Sequence, residues 1–372
     1  MKNRKIVIAG GTGFIGQALN AYFGRDNSIV ILSRQSGDKH NNLFDQKLLT
    51  ANEGYVVRYK KWDGQPLTAD PAHDSWINEI DGADLVINLS GKSVNCRYHK
   101  KQRKEIIDSR IQSTIAIGDA VRVAKKPPSL WINVASATIY QHTIDAPNDE
   151  DHGKISPLKR DNMPYNFIDY LRNKKNKLLT RLSQGKSSAA YQQLYLDFSI
   201  DVCKRWEETF FSQSTAGTRQ VALRTAITLG KGGALTPYLN LCKYGMGGKH
   251  GSGKQLFSWV HIEDLARMIE WLFETKESTG IYNCVAPNAV SNYSFMKTLR
   301  QVCGYKFGLP ATSWMLEVGT FLVGTETELL LKSRWVVPAR ALREGFVFKY
   351  PLLKEALTAV ISDLPGKSYH LF

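Results

Sequence analysis

Seven residues near the start of the chain, GGTGFIG at 10–16, have glycines at the first, fourth and seventh positions. Gly10 permits a tight turn, Gly13 lets the backbone approach a pyrophosphate, and Gly16 lets a helix pack closely on a strand. The apolar residues before the pattern are typical of a strand, and those after it recur at helical spacing. A strand, a glycine turn and a helix in this order predict a dinucleotide site, although a plain tight turn has the same local pattern. The predicted contacts are Gly10, Thr12, Gly13, Phe14, Ile15 and Gly16.

The end of the second predicted strand indicates which cofactor such a site would take. This strand, at 28–32, is followed by Ser33 and Arg34 and has no acidic residue at its end. An acidic side chain there would accept hydrogen bonds from the ribose hydroxyls of NAD, whereas the planar guanidinium of Arg34 suits the 2′-phosphate of NADP. We therefore expect NADP(H) in preference to NAD(H), with Ser33 and Arg34 as contacts. The alternative is that Arg34 is an exposed loop residue with no role in cofactor binding.

Further contacts are expected where the other predicted strands end. Strands at 55–59, 84–89, 130–135 and 220–225 alternate with helices, which predicts an α/β fold with a Rossmann-type, doubly wound parallel sheet. Ligands of such sheets bind beyond the carboxyl ends of the strands. The residues expected there are Trp62, Asp63, Leu89, Ser90, Gly91, Ala135, Thr225 and Ala226. Asp63 could accept a hydrogen bond from an adenine amino group.

Size and composition are those of a globular protein. The chain has 372 residues, of which 43% are hydrophobic and 22% are charged. No apolar run approaches the ~20 residues needed to span a bilayer, and the apolar run at 6–9 is shorter than the ~7 to 15 residues of a signal-peptide core. The five cysteines have no metal-binding spacing, which favours free thiols in the cytoplasm. A net charge of +15 permits an anionic ligand, nucleic acid or an acidic membrane surface without selecting among them.

Motifs spread along the chain resemble those of a known family. They include GGTGFIGQAL, INLSGKSV, ASATIY, LRTAITLG, GSGKQLFSWVHIEDLA and the C-terminal VVPARALREGFVFKYPLLKEAL. With these motifs the chain resembles an atypical extended short-chain dehydrogenase/reductase, of the NAD-dependent epimerase/dehydratase-like "epimerase family protein" group with an extra C-terminal segment. The resemblance is nearly end to end, except for an insertion at about 141–197.

The resemblance implies hydride transfer, but the residue pair that usually transfers the proton is missing. Related enzymes use a serine, which the resemblance places at Ser136, and a tyrosine and lysine spaced YxxxK, in which the ammonium lowers the pKa of the phenol. The helix expected to carry the pair, DFSIDVCKRWEE, has Ser199 or a neighbour at the tyrosine position and Cys203 or Lys204 at the lysine position. The YxxxK matches are Tyr170/Lys174 in the insertion, and Tyr293/Lys297 and Tyr350/Lys354, both interpreted as chance.

Three other residues are candidates for the site, each with a plainer alternative. Tyr140 could supply a phenol close to Ser136, or form a wall of the pocket. Cys203 could face the nicotinamide, or be a buried structural thiol. Arg110 could reach the cofactor or an acidic substrate, or belong to a solvated basic face.

These features together predict an NADP-dependent oxidoreductase or epimerase that acts on a small molecule, for which an anionic substrate is one option. The alternative is a cofactor-bound sensor or partner-binding protein that has lost hydride transfer together with the Tyr/Lys pair. Neither nucleic-acid nor membrane binding is expected of the basic stretches at 97–126 and in the insertion, because no aromatic interleaving and no nucleic-acid fold signature accompany them. The oligomeric state does not follow from the sequence.

The predicted organisation has two parts. A Rossmann domain that binds NADP is expected at 1–230, and a smaller C-terminal substrate-side region at 231–372. The stretch 256–270 is expected to return to the main domain. Its motif VHIEDLA predicts a packed His261 and a helix N-cap at Asp264 rather than catalytic residues.

Overall fold

The centre of the molecule is a seven-stranded parallel sheet. The computed structural model describes residues 1–34, 56–68, 70–96, 98–155, 189–311 and 333–366. The strands in these ranges are Lys5–Ala9 (β1), Ser28–Ser33 (β2), Val57–Lys61 (β3), Leu85–Asn88 (β4), Leu130–Asn133 (β5), Arg219–Thr225 (β6), Ile227–Leu229 (β7), Leu256–Phe257 (β8), Trp259–His261 (β9), Gly280–Cys284 (β10) and Val290–Ser291 (β11). The large sheet has the order β10-β6-β5-β4-β1-β2-β3, with every neighbouring pair parallel. The chain changes direction across the sheet between β1 and β4, as in doubly wound Rossmann folds.

Helices cover both faces of this sheet. They are Phe14–Phe23 (α1), Ile77–Ile80 (α2), Lys100–Val123 (α3), Ala189–Phe211 (α4), Leu235–Lys243 (α5), Ile262–Glu274 (α6), Asn292–Val302 (α7), Ala339–Arg343 (α8) and Leu353–Ser362 (α9). Side chains of β1 alternate between the faces, because Ile6 and Ile8 pack with α1 and α6, whereas Val7 and Ala9 pack with α3 and with Phe210 of α4. The predicted fold class is therefore confirmed.

The predicted strands of the sheet agree with the observed ones to within two residues at each end. The strand predicted at 55–59 is β3, two residues later, and the strand predicted at 130–135 ends at Asn133, so Ala135 lies in the following turn. The sequence analysis did not predict β10, which pairs with β6 and forms one edge of the sheet.

A second, smaller apolar core lies in the C-terminal part of the chain. It is formed by α5, α7 and α9 together with β7, β8 and β9, and includes Leu239, Phe257, Phe295 and Leu357. Between these elements the chain returns to the large sheet, where α6 packs on α1 and β10 pairs with β6. Residues on both sides of position 230 thus contribute to the large sheet, and the division into 1–230 and 231–372 stays a prediction.

The start of α6 differs from the sequence prediction. His261, with extended backbone (φ −74°, ψ 139°), precedes the helix, and its Nδ1 accepts a hydrogen bond from the N–H of Glu263 at 3.2 Å. Asp264 lies inside the first turn, and its buried carboxylate accepts hydrogen bonds from the N–H groups of Lys349 and Tyr350 at 2.7 and 2.8 Å. The N-cap is therefore His261, and Asp264 anchors the C-terminal segment. The packed position of His261 is confirmed, since its ring lies 3.9 Å from that of Tyr350.

Part of the predicted insertion at 141–197 lies outside the described residues, including Tyr170 and Lys174. The described part begins beside the sheet, where Tyr140 forms an antiparallel bridge with Ile155. None of the helices in the described ranges is long and apolar enough to cross a membrane.

Candidate functional site

The glycine turn between β1 and α1 lies against the end of β4. Gly10 has a φ of +73°, a conformation that favours glycine, and a Cβ there would lie 3.0 Å from the backbone of Ser90. A Cβ on Gly16 would overlap the backbone of Gly11, so α1 packs directly on the turn. Gly13 precedes α1 and brings no capping side chain, which leaves N–H groups of the first helical turn for an anion. This is the geometry that a phosphate cradle requires.

The other predicted residues of this turn, Thr12, Phe14 and Ile15, are half-buried. Phe14 packs beneath the loop that follows β7, since a Cβ on Gly230 or Gly233 would lie 2.8 or 2.7 Å from its ring. Gly233 also has a φ of +59°. The glycines of this second loop therefore allow it to close over the start of α1.

The loop after β4 is the next wall of the predicted cofactor site. Of its predicted residues, Leu89 and Ser90 lie beside the glycine turn, and Gly91 follows them. A Cβ on Gly91 would lie 3.0 Å from Cζ of Arg110. The guanidinium of Arg110 donates a hydrogen bond to the carbonyl of Lys92 at 3.1 Å and lies 5.2 Å from the ring of Trp206, and burial lowers its pKa. Arg110 thus supports this loop from behind, and its contact with a ligand stays a prediction.

The ends of β2 and β3 lie side by side, because the N–H of Trp62 donates to the carbonyl of Ser33 at 2.7 Å. Ser33 and Trp62 are buried, whereas Arg34 is exposed. Oδ2 of Asp63 lies 3.2 Å from Nε2 of His73. Although burial acts to raise the pKa of Asp63, hydrogen bonds from a backbone N–H and from His73 lower it, which keeps the carboxylate ionised. The sequence analysis did not select His73, whose proximity depends on the fold of the segment after β3.

A cleft opens where β5 and β6 end. Ser136 forms a parallel bridge with Thr225, whose N–H donates to the carbonyl of Ala135 at 3.2 Å. The hydroxyl of Ser136 donates to Oγ1 of Thr138 at 2.9 Å. The cleft has a volume of about 110 Å³ and opens to solvent, and the predicted residues that line it are Ser136, Thr225 and Ala226. The other polar residues of the lining are Thr138, Gln255, Ser258, Asn292 and Arg334.

Tyr140, which is fully buried, belongs to a polar network behind the cleft. Its hydroxyl donates to Oδ1 of Asn283 at 3.0 Å and accepts from Nη1 of Arg224 at 2.8 Å. Arg224 in turn makes two hydrogen bonds, of 2.9 and 2.7 Å, to the carboxylate of Glu207. Burial raises the pKa of Tyr140, against the opposing charge of Arg224. The network gives this phenol a structural role, and its part in proton transfer stays a prediction.

The helix expected to carry the Tyr/Lys pair is α4. Cys203 on this helix is buried in a cluster with Ala137 and Tyr140, as the structural alternative expects, and its contact with nicotinamide stays a prediction. Tyr293 and Lys297 are exposed on α7. The last YxxxK match begins at Tyr350, whose hydroxyl donates to a carboxylate on α6 at 3.2 Å.

The sequence analysis missed part of the cleft. Gln255 and Ser258 belong to the motif GSGKQLFSWVHIEDLA, and Thr138 belongs to ASATIY. The sequence analysis recognised these motifs but did not identify the three residues as part of the cleft. Asn292 and Arg334 lie far along the chain from Ser136. Only tertiary packing brings them to the cleft, and no local spacing marks them.

Comparison with known proteins gives two matches to family models. The model of the NAD dependent epimerase/dehydratase family matches residues 6–168. A domain of unknown function, DUF1731, matches residues 311–360. The first match contains the glycine turn and the ends of β1 to β5, and the second reaches from the loop after α7 into α9.

Similar proteins extend along almost the whole chain. The epimerase family protein SDR39U1 of Homo sapiens is 26% identical over 361 residues, covering 96% of this chain and all of the relative. The epimerase family protein SSP1921 of Staphylococcus saprophyticus is 29% identical over 358 residues, covering 95% and 98%. The crystal structure of human SDR39U1 (isoform 2) with NADPH is 25% identical, with a TM-score of 0.70 and coverage of 96% and 99%. A UDP-N-acetylglucosamine 4-epimerase from Bacillus cereus, 16% identical, shares the fold with a TM-score of 0.63 and coverage of 98% of both chains.

Proposed function

We propose that this chain, whose residues 6–168 match the model of the NAD dependent epimerase/dehydratase family, binds NADP(H) and uses it in an oxidoreductase or epimerase reaction on a small molecule. The observation that carries the proposal is the geometry of the glycine turn. The backbone at Gly10 lies so close to Ser90 that a Cβ would be 3.0 Å from it, and the N-cap residue Gly13 has no side chain to cap the start of α1. The human relative solved with NADPH supports the choice of cofactor.

A preference for NADP(H) over NAD(H) rests on Arg34. Its guanidinium is exposed just beyond β2, next to the end of β3, where the adenosine ribose of a bound dinucleotide would lie. The strand end carries no acidic residue that would favour two free ribose hydroxyls. A planar cation at this position pairs well with a phosphate.

The reaction would take place in the cleft beyond β5 and β6. A bound nicotinamide would supply or accept the hydride there. The hydroxyl of Ser136 would turn from Oγ1 of Thr138 and donate its hydrogen bond to the reacting oxygen of the substrate. The N–H of Thr138, which donates to Oγ of Ser136 at 3.2 Å, holds the serine oxygen in place. Arg334 brings a positive charge to the lining, which favours a substrate with an acidic group.

A second candidate function is a cofactor-bound sensor without turnover. Two observations favour it: α4 has no Tyr/Lys pair at the expected positions, and Tyr140 is held in a buried network. Both candidates require the cofactor, and they differ only in whether it reacts.

The experiment that tests both proposals begins with binding. Titration of the purified protein with NADPH and NADH, followed by fluorescence, is expected to show tighter binding of NADPH. Arg34→Ala is expected to weaken NADPH binding by roughly 10- to 100-fold and to leave NADH binding unchanged, because only NADPH has a 2′-phosphate for the charged hydrogen bonds. Absence of binding to either nucleotide would overturn the proposal.

Turnover then separates the enzyme from the sensor. NADPH oxidation is followed across a panel of aldehydes and ketones, including those with a carboxylate. If the protein is an enzyme, Ser136→Ala slows the best reaction roughly a hundredfold, since a hydrogen-bond donor to the reacting oxygen is lost. The control is Ser212→Ala, at an exposed serine just after α4. Tight NADPH binding without oxidation across the whole panel would favour the sensor.

A further inference from the structure

Two loops at one end of the C-terminal region are joined into one surface. They follow α5 and α7 and comprise residues 244–249 and 303–311. The N–H of Leu309 donates to the carbonyl of Gly245 at 2.8 Å, and the N–H of Gly248 donates to the carbonyl of Leu309 at 3.0 Å. The side chains of the two loops therefore form a single face, called here the loop surface.

The loop surface exposes large apolar side chains. They are Tyr244 (64% exposed), Met246 (44%), Phe307 (66%) and Leu309 (53%). Tyr293, 52% exposed, adjoins them, because its N–H donates to the carbonyl of Gly253 and a Cβ on Gly253 would lie 3.0 Å from Cβ of Lys249. Single exposed apolar residues are normal, but a group of them in hydrogen-bonded loops is typical of an interaction site.

The stretches of sequence that form the loop surface contain basic residues and no acidic ones. The sequence contains no Asp or Glu between Glu208 and Glu263, and none between Glu277 and Glu317. The exposed lysines of these two acid-free stretches next to the loops are Lys249, Lys254, Lys297 and Lys306. A partner for this surface must therefore combine negative charge with a region that accepts apolar side chains.

These properties decide among the possible occupants. A second copy of the chain would bring lysines against lysines, which is unfavourable. Single-stranded nucleic acid would stack on aromatic rings, but it gains little from Met246 and Leu309. We propose that the loop surface docks on an anionic lipid bilayer, with the apolar side chains at the boundary of headgroups and acyl chains and the lysines on lipid phosphates. This binding goes beyond the proposed function and does not depend on it.

The test is sedimentation of the full-length protein with phosphatidylcholine vesicles that contain or lack phosphatidylserine. We expect binding to the anionic vesicles, weakened by added salt, and little binding to the neutral ones. The double variant Phe307→Ser, Leu309→Ser is expected to weaken binding at least about tenfold, because two apolar anchors are lost. Lys249→Gln with Lys306→Gln is expected to weaken it by about fivefold for each lysine.

Matched controls come from exposed residues elsewhere on the chain. Val347→Ser removes an apolar side chain that is 71% exposed, and Lys125→Gln with Lys126→Gln removes two exposed charges after α3. These variants should bind vesicles like the parent protein, and all variants should keep the circular dichroism spectrum and the thermal unfolding of the parent, which shows that they are folded. Equal binding to both kinds of vesicle, or equal losses in the loop and control variants, would overturn the proposal. So would tighter binding of poly-uridylate or of a glutamate-rich protein than of anionic vesicles through the same residues.

Discussion

Single glycines decide whether the turn after β1 can approach a phosphate. Gly10 and Gly82 have nearly the same positive φ, +73° and +71°, but a Cβ on Gly10 would lie 3.0 Å from Ser90, whereas a Cβ on Gly82 has nothing within 4 Å. Alanine substitutions at the two positions therefore distinguish the loss of stability caused by a positive φ from the loss caused by the close contact with Ser90.

We predict that Gly10→Ala destabilises the protein more than Gly82→Ala. Both variants lose about 1–2 kcal/mol because an alanine is placed at positive φ, and Gly10→Ala loses further stability because the turn must move away from β4. Only Gly10→Ala should weaken NADPH binding. Urea unfolding and NADPH titration measure the two effects. If the two variants behave alike in both measurements, the close approach has no role in the site.

At the scale of elements, one buried network joins four parts of the fold. Glu207 belongs to α4, Arg224 to β6 and Asn283 to β10, while Tyr140 follows β5. Burial acts to lower the pKa of Arg224, but hydrogen bonding to Glu207 and the charge of that carboxylate raise it, so the guanidinium of Arg224 stays charged. The network fixes the wall of the cleft behind Ser136.

We predict that Glu207→Gln lowers the free energy of unfolding by about 3–5 kcal/mol, because it leaves the buried guanidinium of Arg224 without a counter-ion. The neighbouring Glu208 is exposed, so Glu208→Gln should change stability by less than about 0.5 kcal/mol. Urea unfolding of the two variants gives the comparison. A small, equal effect at both positions would show that the pair does not stabilise the fold.

The elements also show what the sequence could and could not predict. Strands such as β1, β2 and β4 were predicted because a continuous apolar run bounded by turns is a local signal. β10 was not, since GIYNC contains Asn283, a polar residue whose side chain is buried only because the carbonyl of Val337 and the hydroxyl of Tyr140 satisfy it. The pairing of Arg224 with Glu207 depends on the packing of α4 against β6, which no periodicity reveals.

For the molecule as a whole, a buried histidine links stability to pH. His250 is fully buried, stacks on Tyr238 at 5.8 Å and finds no hydrogen-bond partner for either ring nitrogen among the described residues. Burial lowers the pKa of His250 to about 4. The unfolded chain binds this proton near pH 6.5 and the folded protein only near pH 4. The contribution of the neutral, buried His250 to the free energy of unfolding is therefore fully present above about pH 6.5, and it decreases as the pH is lowered toward 4.

We predict that the free energy of unfolding falls by up to about 3 kcal/mol between pH 6.5 and pH 4 because of His250. His250→Phe should reduce this dependence of stability on pH. Part of the dependence should remain in the variant, because burial lowers the pKa of His261 as well. His152→Gln, at an exposed histidine, is the control. The measurement is urea unfolding at a series of pH values, and parallel curves for the parent and His250→Phe would contradict the assignment.

The part of the candidate site that lies at the strand ends of the large sheet could be predicted from the sequence, whereas the part contributed by the C-terminal region could not. The glycine turn and Ser136 follow strands and Thr225 ends one, so the rule for parallel sheets places them at one edge. Gln255, Asn292 and Arg334 reach the same cleft through the folding of the C-terminal region, whose short strands β8 and β11 carry little pattern of their own.

The position of β10 has a consequence for how this protein could have evolved. Because this strand lies within the C-terminal region and covers one edge of β6, a chain that stopped near position 230 would leave the backbone groups along that edge unpaired, a template for aggregation. The C-terminal region therefore cannot be replaced by an unrelated domain without loss of a strand of the large sheet. A new specificity must arise by substitution within it, since transplanting a segment that lacks Gly280–Cys284 would open the sheet.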